Sequence, residues 1–152
     1  MLAGASQAFY WWVLSLIVGI SPDARYRFEI AEAIATVSQE SPLYDGNDGP
    51  ARTASIMVSV AWHESTFNPR AVNHKDPMHS TGLFQTPRAV SPPHVLGQAR
   101  VAWRFLSDSL SRCGDLTLYT SGRCGYGKMA SDRRMQFAEH LLTVEPPAQD
   151  TK

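Results

Sequence analysis

Apolar and polar positions alternate along this chain mostly with a helical period. From Arg27 to about Ser38, Phe28, Ile30, Ala31, Ala33, Ile34 and Val37 recur three to four apart, the pattern of an amphipathic helix. Ser41 to Pro50 holds two prolines, two glycines, Asn47 and Asp48, and reads as a loop, with Pro50 suited to a first helical position. The next helix, Pro50 to about Thr66, carries one polar stripe of Arg52, Ser55, Ser59 and His63. Ile56, Met57, Val60 and Ala61 form its apolar row, which ends at Glu64. Asn68-Pro69 is expected to stop it.

Pro87 to Pro93 is a turn-rich connection. Val95 to Arg112 predicts another helix, with Ala99, Ala102, Leu106, Leu110 and Cys113 along one side and Gly114 placed to terminate it in a left-handed conformation. Val101, Trp103 and Phe105 are expected in the core or in a cleft wall, with the core preferred. Asp115 to Lys128, with three glycines, reads as a loop. Asp132 is placed to cap a last helix whose Met135, Phe137, Ala138, Leu141 and Leu142 face the core.

The first twenty residues carry no charge and run Phe9-Tyr10-Trp11-Trp12-Val13-Leu14 through their densest part. A cleaved signal peptide, a membrane anchor and a helix packed on the domain and ended by Ser21-Pro22 all accommodate this segment. Membrane insertion or export is the preferred expectation. The chain thus divides into a hydrophobic segment at 1–24, a catalytic domain at 25–144 and a flexible, solvated tail at 145–152.

Composition narrows the functional classes. The 152 residues are 43% hydrophobic and 18% charged, with 14 basic and 14 acidic side chains, the balance of one globular domain. Zero net charge, without a local block of Lys and Arg among aromatics, argues against a nucleic-acid partner. Cys113 and Cys124 lack a second sulfur pair for zinc. A bridge between them and two free thiols both remain open.

The chemistry concentrates at Glu64. A carboxylate at the end of a buried row loses solvation, which raises its pKa toward what a general acid needs near neutral pH. A zinc-protease reading of His63-Glu64 fails, because the second histidine of H-E-x-x-H falls at Phe67. His74, His79 and His94 have no metal-ligand spacing, and no metal or organic cofactor is expected.

The segments Glu64-Ser65-Thr66-Phe67-Asn68-Pro69-Arg70-Ala71 and Gly82-Leu83-Phe84-Gln85, with Tyr119-Thr120-Ser121-Gly122 later, resemble the motifs of the soluble lytic transglycosylase family, relatives of goose-type lysozyme. The resemblance spans about Arg52 to Leu142. It implies a mainly α fold of the lysozyme-like α+β superfamily, a single compact helical domain with a substrate cleft. It also implies cleavage of the β-1,4 bond between N-acetylmuramic acid and N-acetylglucosamine in peptidoglycan.

Carried over by position, Glu64 is the sole acid and base, Ser65 orients Glu64 or the substrate, and Gln85, Tyr119 and Phe84 line the cleft. The expected partner is the peptidoglycan glycan strand, with membrane contact through residues 1–20. The expected state is a monomer in the cell envelope or exported, of bacterial or phage origin. This sequence departs from the family pattern at Met78-His79-Ser80-Thr81, at Phe84 in place of Met, and at Thr120 in place of Asn. Most glycoside hydrolases use two carboxylates, and Asp76 is the candidate second one. Two alternatives therefore stand beside the transglycosylase: a hydrolase using Asp76, and a non-catalytic glycan-binding or virion structural module.

Overall fold

A computed structural model describes residues 5–148. Within that span the chain forms six α-helices and one short 3-10 turn: α1 Gln7–Ile20, α2 Arg27–Glu40, α3 Gly49–Ser65, the turn Arg88–Val90, α4 Val95–Cys113, α5 Thr117–Ser121 and α6 Lys128–Leu141. Strand-type pairing is limited, among these residues, to the single bridges Val72 with Thr81 and Thr81 with Thr86. The class is mainly α.

Helix α3 is the axis of the domain. Its middle, from Thr53 to Ala61, is buried without interruption, because α1, α2 and α6 pack around it. The expected polar stripe is therefore mostly inside. Ser55 and Ser59 stay there because each hydroxyl donates to a carbonyl, Ser55 to Arg52 at 2.8 Å and Ser59 to Arg134 at 2.7 Å. Thr53 likewise donates to Gly49 and accepts from the Leu43 amide.

Helix α1 lies on this core. Phe9, Trp12, Val13, Leu14, Leu16 and Ile17 are buried, each contributing about 1.5–3 kcal/mol if fully removed from water. Gln7–Ile20 of that first segment is thus a helix packed on the domain. No helix of the described residues is long and apolar enough to cross a membrane. Residues 1–4 of that segment and 149–152 of the expected tail lie outside the described residues. At the other end of the chain, the Trp12 indole donates to the Val144 carbonyl at 3.0 Å.

Several boundaries differ from those expected. Helix α3 stops before Asn68-Pro69, because Thr66 and Phe67 both take left-handed conformations, with φ of 52° and 61°. Ala138 and Leu141 of α6 are buried as expected. That helix begins at Lys128 rather than at Asp132, which lies within it and pairs with Lys128 at 3.6 Å. The loop Asp115–Lys128 contains α5, held at its start by Asp115, whose carboxylate accepts from the Thr117 amide at 2.9 Å. Cys113 and Cys124 form a disulfide with their Cα atoms 5.4 Å apart. It ties the end of α4, where Gly114 is left-handed as expected with φ 73°, to the segment after α5.

Candidate active site

The end of α3 opens onto a cleft of about 550 Å³. Glu64 lines it together with Asn73, Asp76 and Ser80 of the following loop, Gln85 and Thr86 beyond it, Phe105 of α4, and Tyr119 to Gly122. Phe105, expected mainly in the core, is 38% exposed in this wall. Met78, Pro87 and Leu118 complete the lining, which mixes polar and apolar surface in nearly equal shares and offers hydrogen-bonding groups beside apolar walls.

Glu64 is the carboxylate set back in this cleft, its side chain 19% exposed. Burial pushes its pKa above the ordinary carboxylate value, while Arg134 and, more weakly, His63 pull in the opposite direction. The Arg134 side chain, 13% exposed, reaches across from α6. Its Nε donates to Glu64 Oε1 at 3.1 Å and its Nη2 to the same oxygen at 2.8 Å. Sequence reasoning missed this residue, because Arg133 and Arg134 are adjacent on a helix and nothing local tells which of them faces inward.

Ser65 is placed differently from its expected role. It is buried, and its hydroxyl donates to the Ala61 carbonyl at 3.1 Å or the Leu83 carbonyl at 2.7 Å and accepts from the Asn68 amide at 3.1 Å. Its bonds go to the backbone of the cleft floor rather than to the Glu64 carboxylate. Phe84 also departs from expectation, since its ring is buried at 1% exposure in the core and does not line the cleft. Its carbonyl is the useful part, accepting the Tyr119 hydroxyl at 2.5 Å.

Gln85 does line the cleft. Its φ of 50° turns the chain, and its side-chain amide folds back to donate to the carbonyls of Ala71 and Gly82 at 3.2 and 3.0 Å. Tyr119 lines it too, with a hydroxyl whose pKa burial raises well above 10.0, helped by the neighbouring Glu64 carboxylate. It is therefore a neutral hydrogen-bond donor across the working pH range.

Beneath these residues lies Gln98, a buried side chain of α4 that no local sequence pattern singles out. Its Oε1 accepts from the Leu83 amide at 2.8 Å and its Nε2 donates to the Pro69 carbonyl at 3.2 Å. Gly82, with φ 84°, leaves room for it: a Cβ there would sit 2.7 Å from Gln98 Oε1.

Asp76 shares the cleft with Glu64 but has a turn to hold. Its carboxylate accepts from the Met78 amide at 2.9 Å, the Ser80 amide at 3.2 Å and the Ser80 hydroxyl. These bonds, the Ser80 hydroxyl foremost, lower its pKa below the usual value, which makes it a weak base.

His63 faces away from any ligand role. Its Nδ1 bonds the Ser59 carbonyl at 2.7 Å and its ring meets Phe137 edge-on. No cluster of three metal-ligating side chains occurs among the described residues. No family model, curated protein or solved structure matches the chain.

Proposed function

We propose that this protein is a peptidoglycan-cleaving muramidase of the lytic transglycosylase type, in the lysozyme-like superfamily, acting at the bond between N-acetylmuramic acid and N-acetylglucosamine. The observation that carries the reading is Glu64: a recessed carboxylate with a raised pKa, at the end of the helix that begins the transglycosylase-like motif, in a cleft that it shares with Asn73, Ser80, Gln85 and Tyr119.

In the protonated form Glu64 donates to the glycosidic oxygen as the C1–O bond breaks, and positive charge develops at C1 of the muramic acid sugar. The resulting carboxylate then takes the proton of that sugar's 6-hydroxyl as its oxygen closes on C1. The bond lost at C1 is replaced by a 1,6-anhydro bond, no water is consumed, and Glu64 is again protonated. The hydrolytic alternative needs a second carboxylate to activate water. Asp76 suits that role poorly, with its lowered pKa and its oxygens committed to Met78 and Ser80.

Mass analysis of the products from purified cell-wall sacculi tests the proposal. Soluble muropeptides with anhydro ends are expected, with release abolished by Glu64→Gln. Reducing ends lost in Asp76→Asn would favour the hydrolase, and binding to sacculi without soluble product would favour the non-catalytic module.

A further inference from the structure

The Glu64–Arg134 contact is asymmetric. Both guanidinium N–H groups meet Oε1, and among the described residues no group donates to Oε2. The arginine is itself held firmly. Its Nη1 donates to the Ala130 carbonyl one turn back on α6 at 2.9 Å, and its own carbonyl accepts the Ser59 hydroxyl of α3 at 2.7 Å. Guanidinium and carboxylate are thus fixed to each other through side chain and backbone alike, across two helices that pack directly. A fork fastened on three sides sets a geometry rather than swinging with the ligand.

We infer that Arg134 is a positioning residue for the acid: it occupies Oε1 of Glu64 with two N–H groups and thereby assigns the transferable proton to Oε2. The inference rests on the reading of Glu64 as acid and base. An oxygen accepting two charged donors is the worse place for a proton, since an O–H there would point against two other hydrogens. Oε2 carries no such conflict. One oxygen is reserved for orientation and the other for chemistry, and a carboxyl that must donate and then accept uses the same atom in both strokes.

The charge matters as well as the direction. Burial alone favours the acid form, and a carboxyl pushed far up by burial becomes a reluctant proton donor. Arg134 opposes that push. Apart from Arg134, only His63 acts on the Glu64 charge, and the other groups facing it are few. His63 comes from α3 itself and Tyr119 from α5, Asp76 shares the cleft from the loop, and α4 presents only the uncharged Phe105 there.

Arg134→Gln keeps an uncharged amide donor on a shorter stem and removes the charge, and Arg134→Lys restores the charge without the fork. Glu64 is followed directly by carbon-13 NMR of side-chain carboxyls in labelled protein, assigned by its absence in Glu64→Gln. Arg134→Gln is expected to raise the Glu64 pKa by about one unit or more, and Arg134→Lys to return it most of the way. The alkaline limb of muropeptide release should move to higher pH by the same amount, because Glu64 stays protonated longer. The maximal rate should fall about 10- to 100-fold from lost orientation.

An unmoved Glu64 titration in Arg134→Gln overturns the inference. Should that variant fail to fold, Arg134→Met is measured in its place, with the same expected rise and the same overturning result. A shifted Glu64 titration in a protein that releases nothing from sacculi supports the role of Arg134 and sinks the muramidase reading instead. Release abolished by Glu64→Gln with no titration shift in Arg134→Gln does the reverse.

Discussion

The hydroxyl of Tyr119 donates to the backbone carbonyl of Phe84 at 2.5 Å, joining two segments 35 residues apart. It fastens the short helix α5 to the turn Gly82–Gln85, and so sets the width of the cleft between them. Tyr119→Phe leaves that carbonyl without its donor. A loss of about 1–2 kcal/mol in urea unfolding is expected, together with slower muropeptide release while the Glu64 titration stays near its wild-type position. Full activity in Tyr119→Phe would show that this tie does not shape the cleft.

Gln98 makes three bonds from one buried side chain, to Leu83, Pro69 and Pro93, and the first two hold the Pro69 turn and the Leu83 turn in fixed relation. Gln98→Leu preserves volume but strands the Leu83 amide and the Pro69 carbonyl. At about 1–3 kcal/mol for each buried group left unpaired, it should be among the most damaging single changes outside the apolar core. Gly82→Ala should act on the same contact from the other side, since its Cβ would drive Gln98 away. Thermal unfolding of both variants checks this, and a Gln98→Leu protein as stable as wild type would contradict it.

The disulfide between Cys113 and Cys124 closes a short loop around α5. Reduction, or replacement of both cysteines by Ser, is expected to cost about 2–3 kcal/mol in the chain-entropy picture. Hydrogen exchange should rise first at Thr117 to Ser121, and release from sacculi should fall with it. Unchanged protection there after reduction would mean that Asp115 and the Tyr119 hydroxyl hold α5 without the bridge.

Helix α1 supplies six buried side chains to the core. A chain beginning at Ser21 should therefore lose cooperative unfolding and bind hydrophobic dye. If that shortened chain instead melts sharply at an unchanged temperature, the packing of α1 is dispensable and the export reading gains ground.

Much of this architecture was legible in local patterns. Helices α2, α3 and α4 follow from apolar spacing, and Gly114 ends α4 where its place after Cys113 suggests. Glu64 was legible too, because the apolar row of α3 runs straight into it. What stayed hidden depends on partners distant in sequence. Arg134 reaches Glu64 over 70 positions and Gln98 meets Pro69 over 29, and neither bond leaves a periodic trace. Ser65 and Phe84 were misplaced for a related reason. A motif gives the order of residues, but whether the side chain or the backbone of each faces the cleft is decided by φ angles such as those of Thr66, Phe67 and Gln85. The uncharged first segment was ambiguous because a buried helix and an exported one share the same composition.

The pairing of α3 with α6 also bears on when the site exists at all. Glu64 is contributed early and its arginine late, so the carboxyl lacks its guanidinium partner in any chain whose α6 is not docked. Opening of α6 alone, well short of global unfolding, takes Arg134 away from Glu64. The fraction of molecules holding the Glu64–Arg134 pair then follows the local stability of α6. Substitutions on the far side of α6 would change that fraction without touching the cleft.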